Sequence, residues 1–329
     1  MEKLIYCLLI VICAAPLTAC QKKEAKTPAE KKLTVVTTLF PLYDFARTIG
    51  GDKAEVTLLL PPGIEPHTFQ PKPADVMNMS KADIFVYTNE YMEPWAKSFL
   101  NGLPTNDITV VDTSRGVTLQ KGAPEEEEHE GEHGGEGDGH DEHGEAGHHC
   151  EHGGMDPHMW LDFANARIIV DNILSAMVAK DPANRDYYTE RAAAYKAELQ
   201  KLDDDYKAGL STCGKRVFLH GGHYAFGYLA KRYGLRYLSA SAVNADAEPT
   251  PVKMAELIKL MRSTGLKYVY SEELLSTRSA ETIAKETGAT VLMLHGAHNI
   301  SRDDLAKGVT FIALMKKNLE NLRIGLQCR

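Results

Sequence analysis

"KLTVVTTLFPLYDFARTIGGDKAEVTLLL", residues 32–60, decides the fold. "KLTVVTTL" is rich in Val, Leu and Thr, the side chains that suit a pleated strand. "PLYDFARTIG" reads as a helix closed by glycine, and "AEVTLLL" is a second β-rich run. Strand, helix and strand in such quick succession form a βαβ unit, which implies parallel pairing with helices packed on the sheet. The grammar continues through "PADVMNMSKA" (helix), "DIFVYTN" (strand), "EPWAKSFLNGL" (helix) and "DITVVDT" (strand). It returns in the C-terminal half with the strands "KRVFLHG", "LRYLSASA", "KYVYSE" and "TVLMLHG". Helices "YAFGYLAKRYG", "PVKMAELIKLMRSTG" and "SAETIAKETG" alternate with them, and "DDLAKGVTFIALMKKNLENL" reads as one last helix.

Between the halves, "DFANARIIVDNILSAMVAK" is an amphipathic helix. It precedes "DPANRDYYTERAAAYKAELQKLDDDYKAGLST", rich in Ala, Glu, Lys and Leu, with Asp181-Pro182 fitting an N-cap and first helical position. Unbroken from Pro182 to about Leu210, this helix would run roughly 40 Å and act as a strut between two lobes. The alternative is two shorter helices broken near Leu202 to Asp205. The expected fold class is therefore α/β: two βαβ lobes with mostly parallel sheets, residues 33–180 and 212–329, joined by a long rigid helix over 181–211. Ligands of open α/β sheets bind beyond the carboxyl ends of the strands, which puts a site in the cleft between the lobes.

The chain opens "MEKLIYCLLIVICAAPLTAC". The apolar stretch from Leu4 to about Leu17 is too short for a spanning helix, which needs about twenty residues. It reads as a signal peptide over residues 1–19. Leu17-Thr18-Ala19-Cys20 has the pattern of a bacterial lipobox, so Cys20 is the expected lipidation site. Residues 20–32 form a polar, Lys-rich tether. This predicts an exported protein, lipid-anchored at the outer face of the cytoplasmic membrane or in the periplasm. Cys213 and Cys328 then stand in an oxidising compartment, either paired and pinning the C-terminus or as free thiols.

"EEEEHEGEHGGEGDGHDEHGEAGHHCEHGG", residues 125–154, holds twelve carboxylates, seven histidines and no lysine or arginine. Without apolar periodicity it has no face to bury, and it lies in an expected disordered loop over 123–154. Imidazole with carboxylate is a ligand mix for a divalent cation such as zinc. His129, His133, His140, His143, His148, His149 and His152, with Cys150, could collect metal; the alternative is a solvated acidic linker. The formal charge is −8, so the rest of the chain is mildly basic. That implies neither a nucleic-acid footprint nor a strongly charged cleft.

Six histidines lie outside the run: His67, His158, His220, His223, His295 and His298. All fall in predicted loops or at strand ends. A single such histidine is more often a hydrogen-bonding residue than a ligand, but several converging on one cleft suit a metal. Their spacing matches no local zinc signature.

The blocks "EPHTFQPKPADV", "DPHMWLDFANAR", "HYAFGYLAKRYGL" and "SEELLSTRSAETIAKETGATVLMLHGAHN" resemble, in order, those of the zinc-receptor solute-binding proteins of bacterial ABC importers. This is the cluster A-I group, also called cluster 9, and the resemblance covers essentially the whole mature chain. It implies two α/β lobes on a long rigid helix, a bare divalent ion held between them, and a His- and acid-rich loop before the "DPHxW" block. It implies His67, His158 and His223 as ligands; manganese-selective relatives typically carry glutamate at the third position. The fourth family ligand is usually Asp or Glu, where this chain has His298. The fourth ligand is thus His298, water, or a carboxylate from elsewhere such as Glu65, with His298 expected. His220 and His295 become supporting residues and Trp160 wall packing. The implied function is high-affinity Zn2+ reception for an ABC permease in the inner membrane, by a monomer with no enzymatic activity. The alternatives are a receptor for manganese or another divalent metal, a surface adhesin, or a zinc-dependent hydrolase.

Overall fold

The computed structural model describes residues 31–102, 108–122, 154–243, 248–274 and 276–329. The signal segment, Cys20, most of the tether and the His-rich run through residue 153 lie outside the described residues. Ten strands and ten α-helices are described. In the N-terminal lobe β1 (Leu33–Thr37), α1 (Phe40–Gly50), β2 (Ala54–Leu58), α2 (Pro73–Met79), β3 (Ile84–Tyr87), α3 (Pro94–Gly102) and β4 (Thr109–Asp112) follow in order. A two-stranded antiparallel ribbon, β5 (Gln120–Lys121) with β6 (Met155–Asp156), was not foreseen from sequence. Next come α4 (Phe163–Lys180) and α5 (Arg185–Ser211). The C-terminal lobe holds β7 (Val217–His220), α6 (Gly227–Arg232), β8 (Arg236–Ser239), α7 (Pro251–Thr264), β9 (Tyr268–Ser271), α8 (Arg278–Thr287) and β10 (Thr290–Met293). It ends with α9 (Arg302–Ala306) and α10 (Phe311–Gly325).

Both sheets are parallel, in the orders β2-β1-β3-β4 and β10-β9-β7-β8. Each therefore runs second, first, third, fourth strand of its lobe, and the order in which strands are added reverses between first and third. That reversal opens a crevice at the strand ends where ligands gather.

The linking helix α5 is continuous for 27 residues, so the break near Leu202 to Asp205 does not occur. Pro182–Asn184 form a 3-10 turn ahead of it, and the α-helix itself begins at Arg185. Its buried residues Tyr188, Ala192, Tyr195, Leu199, Leu202, Tyr206 and Leu210 recur every three or four positions and make one apolar stripe. The stripe lies within a single core that also takes in Phe45 of α1, Phe163 of α4, Phe218 of β7 and Phe311 of α10. Smaller clusters fill the space under α7 and α8, and under α2 and α3. Two buried carboxylates fix the strut. Asp44 accepts from the Tyr195 hydroxyl and the Phe311 N–H. Asp203 receives a two-pronged contact from Arg232 and a bond from the Tyr233 hydroxyl. A core that runs unbroken through both lobes and the strut resists hinge opening, which leaves loop movement as the cheaper way to reach the cleft.

The last helix differs from expectation. It is two helices, parted at Lys307–Thr310, because Gly308 adopts φ +70° and the Thr310 hydroxyl caps the second by accepting from the Ala313 N–H. Cys213, just past α5, and Cys328, just past α10, form a disulfide across 115 residues. No helix among the described residues is long and apolar enough to cross a membrane.

Candidate metal centre

Each histidine of interest follows a strand. His67 lies in the loop after β2, His158 just beyond β6, His223 after β7 and His298 after β10. The β7 loop, His220-Gly221-Gly222-His223, depends on its glycines. A Cβ on Gly221 would stand 2.6 Å from the Ala280 backbone, and one on Gly222 would stand 2.7 Å from Glu272 Cδ. Without side chains there, His223 can lie directly against the loop after β9.

The four rings of His67, His158, His223 and His298 form a cage. Their pairwise centroid separations are 5.3 and 5.4 Å from His67 to His158 and His223, and 6.3 Å from His67 to His298. The others are 5.1 Å (His158 to His223), 5.7 Å (His158 to His298) and 5.4 Å (His223 to His298). Zinc–nitrogen bonds of about 2.0–2.1 Å in a tetrahedron would separate ligating nitrogens by about 3.3 Å and ring centroids by about 5.2 Å. One nitrogen from each of His67, His158 and His223 lies within 4.8 Å of the others, and a second such set joins His223 to Glu272 and His298.

Carboxylates stand behind two of the rings. Asp156 Oδ1 lies 2.8 Å from Nδ1 of His158 and also accepts its backbone N–H. Glu272 Oε2 lies 2.6 Å from Nδ1 of His223, while Oε1 accepts the His223 N–H. With the proton of each ring on the Nδ1 beside its carboxylate, both Nε2 atoms offer lone pairs to the cage. Those Nε2 atoms face one another at 3.2 Å. Two ring nitrogens at that distance need a proton or a cation between them. His67 Nε2, His298 Nδ1 and, by strict hydrogen-bond geometry, His223 Nδ1 are buried without a hydrogen-bond partner among the described residues.

Electrostatics favour neutral rings over most of the cage. Burial, with neighbouring imidazoles, holds His67 and His158 well below the usual histidine range. His298 is lowered too, chiefly by burial. His223 goes the other way: burial works against its charge, but the Glu272 carboxylate outweighs it and raises the ring. Glu65, which accepts the His67 backbone N–H, adds to that pull on His223.

The remaining predicted residues take supporting places. His220 is buried, accepts the Gly222 N–H on Nδ1 and packs on Phe226. His295 Nδ1 lies 3.0 Å from Glu273, whose carboxyl is held at about 2 despite burial by that imidazole. Trp160 is fully buried and donates its indole N–H to the Gly296 carbonyl. Sequence reasoning singled out none of Asp156, Glu272 and Glu273. The available signal was position: Glu272 and Glu273 follow β9, beside β7 at the C-lobe crevice, and Asp156 precedes His158 by two residues. Because Gly222 leaves room for the Glu272 carboxylate, Gly222→Ala should push that group off His223 and weaken metal binding about 10- to 100-fold, the usual cost of losing such a partner. A chelator-competition titration showing parental affinity would refute that role for Glu272.

Two α/β lobes fastened along one helix, with imidazoles converging at the strand ends, define a solute-binding protein with metal-ligand chemistry in its cleft. A family model described as "Zinc-uptake complex component A periplasmic" matches residues 35–325. The chain belongs to this family, whose members are uptake components rather than enzymes. It is 37% identical over 320 residues to the high-affinity zinc uptake system protein ZnuA of Bacillus subtilis, covering 96% of each chain. It is 36% identical to the zinc-binding lipoprotein AdcA of Streptococcus pneumoniae, with 98% of this chain matching 60% of that longer protein. The crystal structure of the Zn(II)-bound ZnuA-like domain of that AdcA superposes with a TM-score of 0.73 at 32% identity, covering 90% of this chain and 99% of the domain. The laminin-binding protein Lmb of Streptococcus agalactiae, described as a bifunctional protein with adhesin and metal transporting activity, gives 0.75 at 27% identity, covering 90% of this chain and all of that one.

Proposed function

We propose that this chain is a high-affinity Zn2+ receptor that passes its ion to an ABC permease, with His67, His158, His223 and His298 as ligands. The observation that carries this reading is the pair of Nε2 atoms, one from His158 and one from His223, facing each other at 3.2 Å inside a cage of four rings. Neutral imidazoles suit zinc, whereas manganese wants more oxygen ligands. Glu272 is the carboxylate nearest to joining them, through its shared set with His223 and His298. Cu2+ and Ni2+ also bind imidazole well, so cellular selectivity rests on geometry and metal supply. Cys20 would anchor the receptor to the membrane, and the run 125–154 would collect zinc loosely beside the tight site. Delivery to a permease follows from family membership in an uptake complex. Native mass spectrometry with elemental analysis on untagged protein tests the assignment. One zinc should remain bound after residues 125–154 are deleted, with further zinc only when they are present. Manganese held in place of zinc, or a deletion variant without metal, would overturn it.

The pH dependence follows from which ring binds protons. Zinc needs neutral imidazole, so protons compete below each ligand's pKa. His67, His158 and His298 lie below the ordinary value of 6.5 and stay neutral as the pH falls through it. His223 is raised above 6.5 and protonates first. Affinity should therefore fall about tenfold per pH unit near 6.5, a one-proton slope, and steepen only at lower pH. A three- or four-proton collapse centred on 6.5 in competition titrations would contradict this.

A further inference from the structure

The loop carrying His298 leaves the C-terminal lobe at β10, yet much of its hydrogen bonding is to the other lobe. Trp160 Nε1–H donates to the Gly296 carbonyl, and the Phe40 N–H reaches the His298 carbonyl at 3.4 Å. The Gly63 N–H donates to the Ile300 carbonyl at 3.0 Å. Asn299 completes the set: its Nδ2 donates to the carbonyls of Pro61 and Ile64, and its Oδ1 accepts the Ile300 N–H. Two carbonyl acceptors can be met only by the NH2 face of the amide, so its orientation is forced. Asn299 is fully buried. Ala297, just before His298, is held at φ +60°, a left-handed conformation that a non-glycine residue keeps only where its surroundings enforce it.

Pro61 and Ile64 belong to the loop that also carries His67. One carboxamide thus grips the His67 loop while following His298 directly in the chain. The two rings differ in support from the other pair: Nδ1 of His158 lies 2.8 Å and that of His223 2.6 Å from a carboxylate oxygen, an ion-pair contact that neither His67 nor His298 makes among the described residues.

We propose that Asn299 is a positioning residue that clasps the His67 loop to the His298 loop across the cleft, so that these two rings engage and leave the ion together. This rests on the metal-receptor reading above. His158 and His223 form the preset half of the cage, and the clasped pair forms the moving half. Release then begins when the Asn299 bonds to Pro61 and Ile64 break. No lobe rotation is needed, in keeping with the continuous core.

The test is zinc release from the mature chain into excess chelator, followed by stopped flow, for Asn299→Ala, Asn299→Asp, His67→Ala and the double variant His67→Ala/Asn299→Ala. Asn299→Asp keeps the size but offers no N–H to the two carbonyls. Either Asn299 variant should release zinc at least about tenfold faster than the parent. In the His67→Ala background, Asn299→Ala should add little, because the loop it grips no longer carries a ligand. A merely structural role would lower the melting temperature and multiply with the His67 effect. Parental release rates, or multiplying effects, overturn the clasp while leaving the metal site standing. A His67→Ala protein with parental zinc affinity overturns the metal reading itself, and the clasp with it.

Discussion

Replacing His223 with alanine should lower zinc affinity by at least about a thousandfold. The reason lies in how many roles its ring combines. Its Nε2 opposes that of His158, its Nδ1 is held by Glu272, and it belongs to both ligand sets of the cage. Losing an outer partner of a metal-bound histidine costs about 10- to 100-fold; losing the ligand must cost more. Removing it also leaves Glu272 a buried carboxylate without its imidazole partner. His158→Ala should approach the same loss, since Asp156 holds its Nδ1 in the same way. His67→Ala should cost less than either, because its ring lacks a carboxylate at the back and the two carboxylate-backed rings stay in place. Isothermal titration against a competing chelator reads these differences directly. An His223→Ala protein that keeps the parent's tight step would remove the cage as the binding site.

The second large effect concerns stability. Breaking the Cys213–Cys328 bridge by serine substitution at both positions should cost about 4 kcal/mol, because the closed loop spans more than a hundred residues. At about 2–4 °C per kcal/mol for a chain of this size, the melting temperature should fall on the order of 10 °C. The bridge holds the end of α5 against the end of α10. The adjacent backbone bonds from Gly214 and Lys215 to Gln327 and Leu326 would be strained or lost with it. Zinc affinity should change little, since the bridge lies at the opposite end of β7 from the His220–His223 loop. Equal melting curves for parent and double-serine protein under oxidising conditions would show that the bridge contributes nothing.

The amino-acid sequence by itself determined the alternation of strands and helices, because apolar spacing and glycine or proline punctuation are local signals. β1 and β2 fall within the runs read for them, α1 starts one residue before its run at Phe40, and the strands of the second lobe fall within theirs. Boundaries failed in two places: the linking helix begins at Arg185, not Pro182, and the run after Arg302 looked like a single helix because its composition is uniformly helical, while the Gly308 turn and the Thr310 cap act over only a few residues. The histidines were legible for a similar reason, since loop imidazoles after strands stand out against ordinary composition.

What the tertiary structure decided is everything that depends on residues distant in the chain meeting. Asp156, Glu272 and Glu273 are unremarked carboxylates until folding buries them against particular imidazoles. The opposite shifts of His223 and its neighbours come from the same burial and pairing. Asn299 is an ordinary loop asparagine in the sequence, and its grip on Pro61 and Ile64 exists because the two lobes pack on one continuous core. Periodicity along a chain encodes which face of an element turns inward. It does not encode which side chains from other elements will be there, and proton positions and metal cages are set by that encounter.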